Sequence, residues 1–318
     1  MTGLSWEATT VILGLAWFGA INLTVSVVAV AAAQLFDDQP TADPSRARRL
    51  LALRLAPAIV SFTVAALIFV PAHAWLEPAR PDEEIGLVPL LLAAVGLLLV
   101  VRTVYRSARA VRRSVRLATV TPHREVQRGA VRILEVPGLR GVALAGIVRP
   151  RILIGTGARR VLTPAELDLA VAHERAHHRA GDNLSRALIH CAPDFLGLIR
   201  RASRLERLWE AEAECLADAA AANGNPVRAT WLASALVKVA RLASTDRTWT
   251  PGWSTFHHPA LLETRVRLLV STPCVPSATP RFTRTAATCG LAAVAAAWMF
   301  GVPQQLHWLT EALIAILP

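Results

Sequence analysis

Four stretches of apolar residues divide the chain, and each is long enough to cross a lipid bilayer as a helix. The first carries no charge over residues 8–36, and the second covers 55–76. The third covers 85–101 and extends to Tyr105 if the Arg102 side chain reaches the membrane surface. The fourth begins near residue 285 and ends near 306. Since roughly 20 apolar residues span the hydrocarbon core, the pattern predicts four transmembrane helices.

Residues 117–282, between the third and fourth apolar stretches, have the mixed pattern of a separate folded domain. Short apolar runs with turn residues between them predict a small sheet at 131–136, 141–147 and 151–155. Longer runs with a helical period follow, with a break at Pro193. One of them predicts a helix over 204–222 that stops at Asn223 and Gly224. The pattern therefore predicts an α+β domain.

One helix of this domain has unusually complete start and stop signals. Thr163 is suited to the N-cap, Pro164 to the first helical position, and Glu166 follows the cap by three residues, which is the capping-box spacing. Gly181 is suited to the left-handed residue that ends a helix. These signals predict a helix between Thr163 and Gly181.

The arginine distribution predicts how the spans are oriented. Four arginines lie between the first two apolar stretches and six follow the third, namely Arg46, Arg48, Arg49, Arg54, Arg102, Arg106, Arg109, Arg112, Arg113 and Arg116. The amino terminus and the connection between the second and third stretches are poor in basic residues. Since basic connections stay in the cytoplasm, 117–282 is predicted to be cytoplasmic and both termini to be outside.

Composition agrees with a membrane protein. The 318 residues are 53% hydrophobic and 18% charged, with a mean hydropathy of +0.41, which is too apolar for an ordinary soluble domain. A formal charge of +11 also suits a nucleic-acid binder, but the basic residues lie beside apolar stretches. That position favours anionic membrane lipid as the partner and argues against direct nucleic-acid binding. The four cysteines include no CxxC pair, so neither a disulfide framework nor a cysteine-type zinc site is favoured.

The predicted domain organisation has three parts. Residues 1–116 form three transmembrane helices with a juxtamembrane arginine-rich helix, and 117–282 form the cytoplasmic domain. Residues 283–318 form the fourth transmembrane helix and a short extracytoplasmic tail.

A metal-binding pattern lies inside the helix that begins at Thr163. The run His173-Glu174-Arg175-Ala176-His177 matches H-E-x-x-H. Four residues make about one helical turn, so both imidazoles project from one face and can bind one zinc ion, with Glu174 beside the open coordination position. The alternative is a pair of surface histidines that the helix dipole favours near a C-terminus.

A catalytic zinc site needs a third protein ligand, and the helix over 204–222 supplies a candidate. Glu214 and Asp218 are one turn apart, so a ligand carboxylate and a second carboxylate share a face. Asp218 is suited to accept the free ring N–H of a histidine ligand. The alternative is a solvated acidic face, because Glu206, Glu210 and Glu212 are close in sequence.

At these residues the chain resembles the BlaR/MecR-type membrane metallopeptidases, gluzincins that transduce antibiotic or cell-envelope signals. The resemblance covers the apolar stretches, His173 to His177, Asp182-Asn183-Leu184, Pro193, and Glu214 to Asp218. It implies a zincin-like domain in which His173, His177 and Glu214 bind zinc and Glu174 is the catalytic base. It also implies a cytosolic winged-helix repressor as the protein substrate. The β-lactam-sensing members continue into a penicillin-binding domain, whereas about a dozen residues follow the last apolar stretch here, so direct β-lactam sensing is not expected.

Two other functions remain open from the sequence. His258-Pro259 followed by Arg265 resembles a motif of quality-control proteases of the HtpX or CAAX-protease type. Those of the HtpX type place two spans between H-E-x-x-H and the ligand glutamate, and the charged residues of 178–208 argue against spans there. A non-catalytic membrane signalling scaffold with a degenerate zinc site is the second alternative, and the intact Glu174 argues against it.

Two details of the site have competing interpretations. The CAAX-protease resemblance implies a functional histidine at His258, which would stabilise the developing oxyanion, with His257 as its rival. Alternatively, both histidines cap a helix over 259–270. The strand at 151–155 directly precedes the motif helix, so it either offers an edge to an extended substrate or lies inside the sheet.

Overall fold

Three long apolar helices begin the structure. This computed structural model describes residues 5–76, 85–118, 124–128, 131–137, 139, 141–147, 150–198, 203–243, 261–271, 298 and 301–316. Among them, α1 (Trp6–Ala33), α2 (Pro44–Leu76) and α3 (Leu87–Ala118) are long and apolar enough to cross a membrane. They cover most of the first three apolar stretches predicted from the sequence, although α1 ends three residues before the end of the first stretch and α3 begins two residues after the start of the third. Helix α3 continues into the arginine-rich segment, as predicted.

Helices α1 and α3 approach each other closely at two glycines. A Cβ on Gly19 would lie 2.6 Å from the carbonyl oxygen of Leu92, and a Cβ on Gly96 would collide with the carbonyl oxygen of Leu15. Small residues allow the backbones of membrane helices to pack this tightly, because van der Waals contact replaces the hydrophobic effect inside the bilayer. The two glycines therefore determine the distance between α1 and α3.

A four-stranded sheet follows the membrane helices. Its strands are β1 (Arg124–Arg128), β2 (Val131–Val136), β3 (Val142–Ala145) and β4 (Arg151–Gly155), in the order β1-β2-β4-β3. Strand β4 pairs with β2 in parallel and with β3 in antiparallel orientation. The sequence predicted β2, β3 and β4, but it did not predict β1, whose sequence Arg-Glu-Val-Gln-Arg contains a single apolar residue.

The strand order decides the open question about residues 151–155. Strand β4 has a neighbour on each side, so its backbone groups are used within the sheet and it offers no edge to a substrate. Among the described strands, the edges of the sheet are β1 and β3. The interpretation of 151–155 as an edge is therefore wrong, and β3 is the edge strand that contacts the helix of the H-E-x-x-H motif.

Six helices follow the sheet within the described part of the domain, and the one over residues 164–180 packs against β3 and β4. They are α4 (Thr156–Val161), α5 (Pro164–Ala180), α6 (Asp182–Cys191), α7 (Ser203–Ala222), α8 (Pro226–Ala243) and α9 (Leu262–Ser271). The main core joins strand residues such as Ile152 to helix residues such as Leu169 and Leu236. Helix α7 stops at Asn223 and Gly224, whose φ values of 51° and 68° are left-handed, as the sequence predicted.

The predicted fourth span, at 285–306, lies mostly outside the described residues. Its last residues belong to helix α10 (Val302–Ile316). This helix continues beyond the predicted end at 306, over residues that were predicted to form a short tail.

A turn at residues 193–198, after α6, is held by arginines from two membrane helices. Arg54 of α2 donates from Nη1 to Asp194 Oδ2 at 2.6 Å, and both side chains are almost fully buried. Arg102 of α3 donates from Nη2 to the carbonyl oxygen of Gly197 at 2.6 Å. The sequence predicted that the Arg102 side chain reaches the membrane surface, and in the structure it binds this turn.

Asn22 of α1 makes the third contact between the membrane helices and the 193–198 turn. Its amide nitrogen donates to the carbonyl oxygens of Pro57 and Pro193 at 3.2 and 2.9 Å. Its amide oxygen accepts from the backbone N–H of Phe195 at 3.2 Å. A fully buried amide with these partners ties α1, α2 and the turn together.

The connection between α1 and α2 is bound to helix α7 through Glu212. This fully buried carboxylate accepts from the backbone N–H and hydroxyl of Thr41 at 2.9 and 3.0 Å and from the backbone N–H of Asp43 at 3.3 Å. Arg46 donates to the same carboxylate from Nη1 at 2.6 Å. Since Glu212 is two residues before Glu214, the membrane helices are joined directly to the helix that carries a predicted metal ligand.

Candidate metal centre

Helix α5 places two histidines on one face of a well-defined helix. The predicted capping box is present: Glu166 N donates to Thr163 Oγ1 at 3.3 Å, and Thr163 N donates to Glu166 Oε2 at 2.8 Å. Gly181 ends the helix with a φ of 76°. His173 and His177 lie between these caps and are 0% exposed, so the alternative of a surface histidine pair is wrong.

The two imidazoles meet Glu214 of helix α7. His173 Nε2 and His177 Nε2 lie 3.1 Å apart. Glu214 Oε2 is 3.5 Å from His173 Nε2, and Glu214 Oε1 is 3.4 Å from His177 Nε2. Glu214 is 3% exposed, so it does not belong to a solvated acidic face. These three residues could together hold a metal ion, as the sequence predicted.

Each histidine has a carboxylate on its other ring nitrogen. His173 Nδ1 lies 2.9 Å from Asp218 Oδ1, which is the contact predicted for Asp218. His177 Nδ1 lies 2.6 Å from Asp182 Oδ2. Because a carboxylate accepts the Nδ1 proton, it leaves the Nε2 lone pair directed at a metal. The sequence reasoning did not assign this role to Asp182, whose only signal was its position directly after the helix-ending Gly181.

Arg265 of helix α9 supports the two carboxylates on α7. Its Nε and Nη2 donate to the two oxygens of Asp218 at 2.7 Å each, and its Nη1 lies 3.0 Å from Glu214 Oε2. Burial raises the pKa of Asp218, but the Arg265 guanidinium outweighs it and holds that pKa below the ordinary value. Sequence reasoning noted Arg265 only as part of the motif that pointed to His258.

Arg186 of helix α6 approaches Glu214 from the other side. Its Nη2 donates to Glu214 Oε1 at 3.0 Å. Burial raises the pKa of Glu214, yet His177 and Arg265 lower it well below the ordinary value. Glu214 is therefore an anion in the folded protein, which is the form that binds a metal.

Glu174 occupies a different environment from the other carboxylates. It is fully buried, and neither carboxylate oxygen has a hydrogen-bond partner among the described residues. Burial raises its pKa to about 7, although the two histidines oppose that change. A carboxylate whose pKa is close to the working pH is suited to take and return a proton.

The donor set fits a divalent cation. Ligands 2.0–2.2 Å from a tetrahedral metal are separated by roughly 3.3–3.6 Å, close to the observed 3.1, 3.4 and 3.5 Å. A histidine binds a metal as neutral imidazole. In that state four carboxylates and two guanidinium groups leave two negative charges, from Glu174, Asp182, Glu214, Asp218, Arg186 and Arg265. One divalent cation would balance these charges.

The histidines proposed for oxyanion stabilisation lie outside the described residues. His257 and His258 belong to the segment 244–260, which the structure does not describe. Helix α9 spans Leu262–Ser271, so the helix predicted over 259–270 is present where the structure describes it. The roles of His257 and His258 stay predictions.

Comparison with known proteins finds a similarity over part of the chain. The family model of the BlaR1 peptidase M56 matches residues 84–194, roughly a third of the chain. The matched segment includes α3, the sheet, His173, Glu174 and His177, and it stops before Glu214. No curated protein and no solved structure matches the chain. The match supports membership of the BlaR1/MecR-type metallopeptidases, a membrane-associated family that the sequence motifs had predicted.

Proposed function

We propose that this chain is a membrane-bound zinc endopeptidase that cleaves a cytosolic protein. The convergence of His173, His177 and Glu214 beside the buried carboxylate of Glu174, which has no hydrogen-bond partner among the described residues, carries the proposal. Two imidazoles and one carboxylate are typical ligands of a catalytic zinc ion, which leaves one coordination position open. A purely structural site would more commonly have four protein ligands and would not need the base.

The chemistry follows from the residues around the cluster. Zinc, when bound, lowers the pKa of a coordinated water to about 7 and polarises a carbonyl group. Glu174 takes the proton of the attacking water on its carboxylate and returns it to the leaving amine nitrogen. Asp182 and Asp218 keep the two imidazoles in the tautomer with a free Nε2 lone pair. Burial of the cluster strengthens these interactions by excluding bulk water.

Strand β3 lies at the edge of the described sheet and contacts α5. Val142 and Leu144 of this strand are each 1% exposed, and Asn183 donates to the Leu144 carbonyl oxygen at 3.1 Å. Because this edge is covered, an extended substrate is not expected to add to β3 as a further strand. By family resemblance, the substrate is a winged-helix repressor in a signalling pathway.

The described residues between the motif helix and α7 favour this function over quality control of the HtpX type. Helix α6 has 10 residues, which is too short to cross a bilayer. The residues 182–198 therefore contain no span of the kind that those proteases place between H-E-x-x-H and the ligand glutamate.

Removing the metal is expected to stop peptide cleavage reversibly. Purified protein in detergent should cleave a mixed peptide library, lose activity with a chelator, and regain it with one equivalent of zinc, because the ligands lie on folded helices. Mass spectrometry of the products reports the cleavage sites. Cleavage that survives complete removal of metal would contradict the proposal.

We further propose that the domain over 117–282 is an α+β domain in the cytoplasm, that the chain has four spans, and that the arginines of α3 contact anionic lipid. The concentration of arginine at the start of α2 and along the second half of α3 supports this orientation. Direct nucleic-acid binding is not part of the proposal.

Cysteine labelling in intact cells should report this orientation. In a background without the native cysteines, Arg160→Cys on α4 should resist a membrane-impermeant maleimide, whereas Trp75→Cys should react. Arg160 and Trp75 are both exposed, so accessibility within the protein does not limit either reaction. Reaction at position 160 in intact cells, with an intact membrane confirmed by an unlabelled cytosolic marker, would overturn the orientation.

A further inference from the structure

Arg186 has one guanidinium arm that the metal cluster does not use. Its Nη2 donates to Glu214 Oε1 at 3.0 Å, but its Nη1 is buried and has no hydrogen-bond partner among the described residues. The side chain as a whole is 15% exposed, so it lies at the rim of the cluster. A buried cationic N–H without an acceptor is rare in folded proteins, so this nitrogen is available to an acceptor that a ligand supplies.

Arg265 provides the contrast. It contacts the same carboxylate from the other side, yet its Nε and Nη2 are bound to Asp218 and its Nη1 is bound to Glu214. Arg265 is 1% exposed and is thus a buried structural support. Of the two arginines that contact Glu214, Arg186 is the one at the rim of the metal cluster, and its Nη1 has no hydrogen-bond partner among the described residues.

Arg186 also interacts electrostatically with the base. Burial raises the pKa of Glu174, and the two histidines and the more weakly acting Arg186 oppose that change. The guanidinium carbon of Arg186 lies 5.6 Å from the centroid of the Trp209 ring, and this cation–π contact restricts the orientation of the guanidinium group. One nitrogen of this group is therefore bound to a metal ligand, while the other, Nη1, is buried without a hydrogen-bond partner among the described residues.

We propose that Arg186 is a catalytic residue that donates a hydrogen bond from Nη1 to the carbonyl oxygen of the scissile peptide as that oxygen becomes negative. This inference rests on the proposed peptidase function. No proton is transferred, because a guanidinium stays protonated in proteins, and the C=O electron pair moves onto the oxygen while the water oxygen bonds to carbon. The planar guanidinium group can donate hydrogen bonds to Glu214 from Nη2 and to the oxyanion from Nη1 at the same time, which a lysine ammonium group cannot do in this fixed geometry.

The test compares Arg186→Met and Arg186→Lys with the wild-type protein, all loaded with zinc in detergent. Turnover of a fluorogenic peptide, zinc affinity, thermal unfolding and inhibition by an N-phosphoryl-leucyl dipeptide are measured, since its tetrahedral phosphoryl group mimics the developing oxyanion. Both variants should retain zinc and fold, with kcat lower by about 10²–10³-fold and KM little changed. Affinity for the phosphoryl dipeptide should fall in parallel with kcat/KM. Arg179→Met, an exposed charge on α5, is the matched control and should be unaffected.

Two outcomes overturn the assignment of Arg186. Near-normal kcat and inhibitor affinity in both variants would exclude a catalytic role. Loss of zinc that excess zinc reverses, with full recovery of kcat, would show that Arg186 only positions Glu214. If the wild-type protein cleaves no peptide, the proposed peptidase function is wrong. The affinity of the phosphoryl dipeptide for the zinc-loaded proteins would then still test the role of Arg186. Should Arg186→Met fail to fold, Arg186→Lys, which keeps the positive charge beside Glu214, carries the comparison.

Discussion

Replacing Glu174 by glutamine is expected to abolish peptide cleavage while the metal remains bound. Glutamine has nearly the same shape but cannot accept the proton of the attacking water. Loss of general acid–base catalysis typically costs about 10²–10⁴-fold in rate. Glu174 is not among the three residues grouped as metal ligands, so zinc stoichiometry should not change.

Zinc content by mass spectrometry of metals and kcat on a fluorogenic peptide check this result. His178→Gln provides a matched control on the same helix, because His178 lies outside the ligand group. A Glu174→Gln protein that cleaves at the wild-type rate would show that another residue is the base, and the proposed mechanism would be wrong.

The same substitution should also change the pH dependence of stability in metal-free protein. The folded pKa of Glu174, about 7, lies above its ordinary value of 4.5, so folding favours the protonated form. The wild-type protein therefore loses stability as the pH rises from 4.5 through 7, and glutamine removes that loss. We expect the melting temperature of metal-free Glu174→Gln to exceed that of the wild type at pH 8, with a smaller difference at pH 5.

Replacing Glu214 by alanine should have the second large effect, on metal binding and stability together. The substitution removes one of three metal ligands, so zinc affinity should fall by more than the roughly 10–100-fold typical of losing an outer partner. It also removes the carboxylate that accepts a hydrogen bond from Arg186 and forms an ion pair with Arg265, at 3.0 Å in each case. Removing one partner of a buried ion pair typically costs about 3–5 kcal/mol, because an uncompensated charge remains.

Glu214→Gln separates the two effects, since its amide oxygen can still accept from an arginine while the ligand charge is lost. We expect the melting temperature of Glu214→Gln to be closer to the wild-type value than that of Glu214→Ala. Its zinc content should still be below that of the wild type. Glu210→Ala, one turn earlier on α7, is the matched control and should retain the metal. Full zinc retention by both Glu214 variants, with loss of zinc in Glu210→Ala, would transfer the ligand role to Glu210.

Local features of this protein follow from the sequence alone. The Thr163 cap, Glu166 and Gly181 determine the ends of α5, because capping depends on residues within one turn of each end. The spacings of His173 to His177 and of Glu214 to Asp218 place each pair on one helical face for the same reason. Long apolar stretches likewise predicted α1 to α3, since span length depends only on bilayer thickness. Strand β1 was missed because its polar residues carry no apolar pattern.

Only the tertiary structure decided which distant groups meet. Arg265 and Arg186 bind Glu214, and Arg46 binds Glu212. The chain has 34 lysines and arginines, and no local pattern distinguishes these three from the others. Strand pairing is equally non-local, so the interior position of β4 could not be read from residues 151–155. A buried charge is stable only where packing brings it a partner, and that packing involves residues far apart in the chain. The sequence thus determined the helices and the ligand spacing, while long-range packing selected the arginines that support the metal centre.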